Sequence, residues 1–209
     1  TPPVLGSRST DLKCRIGGLA GRKLAKNDFL PTGPCDTREL WEKITAISLN
    51  RPIHDALVCH GTHPVLAEGA KNLPLLRAVA GPQQAAFTDK ALHDFTHSSY
   101  TLTPDCDRMA FRLAGPIIET VHGSDILSDG IAAGSVQVST NGQPIVMLAD
   151  HQTTGGYAKI ATVIAADLPM LAQLRPGQSV CFTFVTSQQA VQAARRQAEL
   201  LQAVAARLD

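Results

Sequence analysis

Ser135-Val136-Gln137-Val138, a gap of five residues, and Pro144-Ile145-Val146-Met147-Leu148-Ala149 decide the fold of this chain. The gap holds Asn141-Gly142, a dipeptide that accepts left-handed backbone at both central turn positions and so closes a tight hairpin. The same texture continues outward. Arg108 to Leu113 alternates in polarity and ends at Gly115-Pro116. Tyr157 to Ala165 and Val180 to Val185 read as further strands. Asp167 to Leu174 reads as one or two helical turns, stopped by Arg175-Pro176-Gly177. From Leu76 to Thr186 the signal is mostly β. Many short strands joined by glycine-rich turns predict a barrel or a sandwich.

The flanks differ. Residues 1–35 are short apolar patches cut by Gly6, Gly17, Gly18, Gly21 and Gly33, which is strand-and-turn texture. Asp36 and Glu39 resemble a capping box ahead of Leu40, Ile44 and Ile47, which predicts a short helix over 36–49. Residues 50–72 read as a loop-rich excursion. At the other end Ala194, Ala198, Leu201, Ala205 and Leu208 step by four and three, one face of a C-terminal helix with Ser187 as its N-cap. The expected division is a β subdomain with a helical and loop excursion over 1–75, and a barrel domain with its helix over 76–209.

Composition narrows the function. The 209 residues are 44% hydrophobic and 18% charged, which excludes a disordered chain, a collagen and a coiled-coil rod. Nineteen basic against eighteen acidic residues leave a net charge of +1, too little for non-specific nucleic-acid binding. No apolar run is long enough to span a membrane as a helix. The five cysteines, Cys14, Cys35, Cys59, Cys106 and Cys181, are widely spaced and form no CxxC pair, so they read as reduced thiols of a cytoplasmic protein. The chain opens on Thr1-Pro2-Pro3 with no Met, which reads as a start inside a longer product. A chain cut in this way is expected to lack strands its neighbours would pair, and so to self-associate or bind another protein; the alternative is that the C-terminal helix covers its own barrel.

Several constellations carry chemistry. Cys59-His60 and His63, with His54 near, offer zinc ligands in one cluster where structural zinc wants two, so a solvated loop is the stronger reading. His93 and His97 are four apart, but Asp94 stands where a metalloprotease glutamate would be. Gly17 to Arg22 lacks the Lys-Ser/Thr of a phosphate loop and reads as a tight turn. No metal is expected. Asp150-His151-Gln152-Thr153-Thr154-Gly155-Gly156-Tyr157-Ala158-Lys159 is denser in polar groups than a hairpin needs, and its glycines permit close backbone approach to a ligand. Tyr157 and Lys159 are two apart and would share a strand face if the strand begins at 157. Beside Gln152 they could polarise a carbonyl and relay a proton; a lysine pairing with an acid is the plain alternative. Arg108 and Arg112, four apart, would likewise share a face and clamp a carboxylate, unless Asp105 or Asp107 pairs with them.

These stretches carry a resemblance. Val4 to Asp11, Ile16-Gly17-Gly18 to Gly21-Arg22, Gly81-Pro82-Gln83, Asp107 to Leu113, Gly115-Pro116 and Leu127-Ser128-Asp129-Gly130 are similar to the allophanate hydrolase subunit 2 family. So are Gly134 to Val138, Asn141 to Pro144, Asp150 to Lys159, Ala166 to Pro169, Gln173 and Arg175-Pro176-Gly177. The match covers roughly residues 4–30 and 76–186, with Gln-Thr-Thr-Gly-Gly-Tyr its most specific string. His151 stands where the family usually has Arg, Ser139 where it has Pro, and residues 36–72 are longer than usual.

The resemblance implies a mainly β (α+β) fold built on a cyclophilin-like β-barrel. It implies a subunit of an ATP-dependent 5-oxoprolinase, opening 5-oxoproline to L-glutamate and inactive alone. The alternatives are a carboxyltransferase component of a biotin-dependent urea or amide carboxylase, or a regulator that sequesters a kinase inhibitor. Expected partners are a subunit-B-like protein of the allophanate hydrolase subunit 1 family and a third, ATP-using subunit. ATP, and carboxybiotin if used, would reach the site through those partners, because the sequence has neither a P-loop nor a biotin-attachment Met-Lys-Met. The expected catalytic residues are Lys159, Tyr157, Gln152 and Asp150. Arg108, Arg112, Asp107, Thr153, Thr154, Gly155, Gly156 and Gln137 are expected to bind a small amide substrate.

Overall fold

The computed structural model describes residues 1–31, 42 and 73–206. The chain divides into two compact units, Thr1–Ile44 and Thr45–Asp209. In the first, β1 (Thr10–Asp11) pairs antiparallel with β2 (Ile16–Gly17). Gly21 N–H then closes a turn on the Gly17 carbonyl at 2.9 Å, so the glycine run is a turn, as its residues predict. The Arg22 guanidinium donates to both oxygens of Asp28 at 2.7 Å and, with the Ala25 N–H, holds that carboxyl down at about 2. The predicted helix over 36–49 and the loop over 50–72 lie outside the described residues, except for Glu42, which is helical.

The second unit is a closed barrel. Its strands are β3 (Leu75–Ala80), β4 (Ser99–Cys106), β5 (Ala110–Ala114), β7 (Ser135–Val138), β8 (Pro144–Met147), β10 (Lys159–Val163) and β11 (Ser179–Phe184). Around the barrel the order is β10-β3-β11-β4-β5-β8-β7, antiparallel throughout except between β3 and β11. Alternate residues point inward. Leu76 and Ala78, Tyr100 and Leu102, Val136 and Val138, Val146, Ile160, Val180 and Phe182 fill the interior at no more than 1% exposure. The hairpin falls where Asn141-Gly142 places it: Gly142 has φ of +74° and its N–H donates to the Ser139 carbonyl.

Among the described residues of this unit, two strands stand outside the barrel. β6 (Asp125–Gly130) and β9 (Thr154–Tyr157) form a separate antiparallel ribbon. The single strand expected from Tyr157 to Ala165 is therefore two strands, broken at Ala158. Ala158 N–H donates to the Ser124 carbonyl, and the Ala158 carbonyl accepts from Val138 N–H. The chain leaves the ribbon and enters the barrel at that one residue.

Two of the three described helices differ from expectation. α1 (Asp89–His97) lies in a region read as β. Thr88 caps it by accepting from Ala91 N–H at 3.1 Å, and Phe95 stacks on Phe182 at 4.5 Å. α2 (Leu168–Ala172) falls as expected, with Gly177 beyond it at φ of +88°. α3 (Ser187–Ala205) begins one residue earlier in its capping than predicted. Thr186, not Ser187, is the cap: its Oγ1 accepts from Gln189 N–H while Gln189 Oε1 accepts from Thr186 N–H, a capping box. The covered face of α3 is Ala190, Ala193, Gln197 and Leu200, and the predicted Ala194–Ala198–Leu201 stripe is the exposed one. Gln197 decides the rotation by donating to the Ala166 carbonyl at 3.4 Å.

Candidate functional site

Side chains on the barrel's outer wall alternate with the core residues and meet the ribbon. Arg112 pairs in register with Ile145, Ile145 with Gln137, and Gln137 with Lys159. Residues opposite one another in neighbouring strands point to one face, so Arg112, Ile145, Gln137 and Lys159 form a row across β5, β8, β7 and β10. The ribbon runs over this row and leaves a groove of about 320 Å³. Arg112, Gln137, Ile145 and Met147 line its wall, with Gln152, Gly155, Gly156 and Tyr157 facing them. Asp105, Asp107, Met109, Ala110 and Ser139 complete the lining. This is room for one small molecule.

Gly155 lies close against the barrel wall. A Cβ there would lie 2.7 Å from Gln137 Nε2 and 2.6 Å from Ile131 Cδ1, so a larger residue would displace the ends of those two side chains. Gln137 is 3% exposed, and its Nε2 donates a long bond of 3.4 Å to the Tyr157 carbonyl. Among the described residues its carboxamide oxygen has no hydrogen-bond partner, and Arg112 has no ion pair. A nearly buried carboxamide and an unpaired guanidinium thus share one groove.

The structure separates the predicted residues into two sets. Arg112, Asp107, Gln137, Gln152, Gly155, Gly156 and Tyr157 come together. Asp107 does so as a turn former, accepting from Met109 and Ala110 N–H at 2.8 and 3.1 Å. Arg108 does not join Arg112, because β5 begins only at Ala110 and the two do not share an extended strand. Its partner is neither Asp105 nor Asp107 but Asp150, which accepts from Nε at 2.6 Å and from Nη2 at 3.1 Å. The Arg108 hydrogen bonds hold the Asp150 carboxyl below its ordinary value, so it is ionised and a weak base at neutral pH. Thr153 and Thr154 are exposed outside the groove lining.

Lys159 does not share a face with Tyr157, because the strand break at Ala158 separates them. It is 3% exposed, and its Nζ donates to Asp129 Oδ2 at 2.6 Å and to the Gly130 carbonyl at 2.9 Å. Gln83 joins this cluster, accepting from Lys159 N–H and donating to Asp129 Oδ2, both at 3.2 Å. The Lys159 hydrogen bond, then the Gly130 N–H and Gln83, hold the Asp129 carboxyl below its ordinary value. That interaction is fully present at neutral pH and is lost only as pH falls below the ordinary carboxylate range. Sequence reasoning did not single out Gln83, Asp129, Ile145 or Met147 as site residues. Gln83 and Asp129 do lie in two of the stretches that carried the resemblance.

Among the described residues no group of three or more His, Cys, Asp or Glu could hold a metal ion. His93 and His97 instead stack ring on ring at 3.9 Å. Cys59, His60, His63 and His54 lie outside the described residues. Among the described residues no helix is long and apolar enough to cross a membrane.

This chain belongs to the family of the carboxyltransferase domain, subdomain A and B, matched over residues 1–184. It is 38% identical over 208 residues to the C subunit of 5-oxoprolinase from Escherichia coli (strain K12), covering 99% of this chain and 60% of that protein. It is 36% identical over 199 residues to the corresponding 5-oxoprolinase protein of Haemophilus influenzae, covering 93% of this chain and 56% of that one. The chain thus spans less than two thirds of the length of these curated relatives. The solved urea carboxylase of Kluyveromyces lactis shares the fold, with a TM-score of 0.64 at 20% identity over 95% of this chain and 18% of that one.

Proposed function

We propose that this chain is part of the C subunit of a 5-oxoprolinase, working in the ATP-dependent opening of 5-oxoproline to L-glutamate. Its relatives of 36–38% identity support the reading. The observation that carries it is the pairing of Arg112 with Gln137 across Ile145 in one small groove. 5-Oxoproline is a small ring with one carboxylate and one lactam. The guanidinium fork suits the carboxylate, and the free carboxamide oxygen of Gln137 can accept from the lactam N–H. Tyr157 and Gln152 supply donors for a lactam oxygen that gains charge as the ring opens. Ile145 and Met147 exclude water from one side. In this reading ATP chemistry is supplied through a third subunit, and a subunit-B-like partner of the allophanate hydrolase subunit 1 family completes the site. The protein is an amide-hydrolase component, inactive alone and cytoplasmic. The shared fold with a urea carboxylase favours carboxyl transfer to an amide nitrogen, with carboxybiotin brought by a partner, as the second reading.

Glutamate release from 5-oxoproline, measured with full-length protein, partner subunits and ATP, tests the proposal. Release that requires this protein is expected. Carboxylation of urea or another amide without glutamate release would transfer the assignment to the second reading.

A further inference from the structure

The β6–β9 ribbon has no strand-to-strand hydrogen bonds to the barrel. A two-stranded ribbon alone is marginally stable, so its position depends on tethers. The Asp125–Tyr157 end joins the barrel at Ala158. At the other end, where Asp129 faces Gly155 and Gly130 faces Thr154, residues 131–134 lead on into β7 and residues 148–153 arrive from β8. Lys159 adds a side-chain link from β10 to that end.

Four residues close a square. Lys159 and Gln137 are register partners in the barrel, and Asp129 and Gly155 are register partners in the ribbon. The Lys159–Asp129 ion pair at 2.6 Å joins one pair of corners. The close approach of Gly155 to Gln137 joins the other. Gln83 braces the Lys159–Asp129 side, bonded to the Lys159 backbone and to the Asp129 carboxylate. Three sequence stretches far apart in the chain, Gly81-Pro82-Gln83, Leu127 to Gly130 and Asp150 to Lys159, therefore converge on one cluster.

We propose that Lys159 and Asp129 are positioning residues: their ion pair, braced by Gln83, clasps the ribbon to the barrel and fixes Gly155 against Gln137, which sets the width of the groove. The inference rests on the groove being the ligand site proposed above. It replaces the proton relay first expected of Lys159. Lys159 is 3% exposed, and its ammonium is committed to two acceptors and not part of the groove lining. With Asp129 neutralised, Lys159 would be a buried cation without its counter-charge, and the side-chain link that holds the ribbon against β10 would weaken.

Hydrogen exchange on the full-length protein tests the clasp independently of any substrate. In Asp129→Asn and Lys159→Met, the amides of Asp125–Gly130 and Thr154–Tyr157 are expected to exchange roughly tenfold faster or more, with β4 and β11 unchanged. Asp129 is half-exposed, so Asp129→Asn remains informative if Lys159→Met fails to fold. Lys159→Arg separates positioning from proton transfer, because arginine keeps the pair but does not deprotonate. It should restore ribbon protection and, in the assembled complex, most of kcat, whereas Asp129→Asn should raise KM more than it lowers kcat. Unchanged ribbon exchange in Asp129→Asn would overturn the clasp. Lost turnover in Lys159→Arg with a protected ribbon would return Lys159 to proton transfer. If the complex does not act on 5-oxoproline, the exchange result still decides the clasp, and only the functional reading falls.

Discussion

Replacing Arg112 with alanine is expected to raise KM for 5-oxoproline by roughly ten- to a hundredfold in the assembled complex, because a charge-assisted hydrogen bond is worth about 1.5–3 kcal/mol. The turnover number should change less, since the carboxylate carries the same charge before and during ring opening and is bound equally in ground and transition states. Arg112 is exposed and outside the core, so the melting temperature should hold. Arg112→Lys should fall between, keeping the charge but losing the planar fork. Steady-state kinetics and a thermal melt on the same preparations check both parts. An unchanged KM would remove Arg112 from recognition, and a collapsed melt would make it structural.

The largest effect on stability is expected at Asp167, far from the groove lining. Asp167 is 1% exposed and accepts from the Arg77 backbone N–H at 2.8 Å, from Nε at 3.0 Å and from Nη2 at 2.6 Å. One carboxylate thereby fixes the start of α2 to strand β3. Breaking a buried ion pair costs about 3–5 kcal/mol, and the partial exposure of Arg77 reduces this to about 2–3 kcal/mol. Asp167→Ala should therefore lower the melting temperature by roughly 5–10 °C. Asp167→Asn, which can still accept a hydrogen bond, should lose less. Calorimetry of the two variants against the parent protein measures the difference, and equal melting temperatures for all three would show that the pair contributes nothing.

What could be read from the sequence was local. The hairpin was legible because Asn141-Gly142 and its flanking apolar runs contain all the information the turn needs. The stop after α2 was legible for the same reason, in Arg175-Pro176-Gly177. α1 was not, because its nine residues present few apolar positions and its burial depends on Phe95 meeting Phe182 from another element. The C-terminal helix was legible as a helix but not in its rotation. Alanines lie on both candidate faces, and the choice was made by Gln197 bonding to Ala166, 31 residues away.

The site divides along the same line. Gln152, Gly155, Gly156 and Tyr157 were visible as a polar, glycine-rich string. The partners were not. Arg108 meets Asp150 across 42 residues, Lys159 meets Asp129 across 30, and Arg77 meets Asp167 across 90. Spacing within one strand could not show that Tyr157 belongs to the ribbon and Lys159 to the barrel. That break at Ala158 exists because Tyr157 pairs with Asp125 while Lys159 pairs with Gln137.

The central claim is that the groove between barrel and ribbon is where the ligand sits. A structure of the full-length protein crystallised with 5-oxoproline tests it most directly. The account predicts the ring between the Ile145–Met147 wall and Gly155-Gly156, its carboxylate on Arg112 and its lactam facing Gln137 and Tyr157, and no such occupancy in Arg112→Ala. 5-Oxoproline bound elsewhere on the protein, with the groove unchanged between parent and variant, would contradict it.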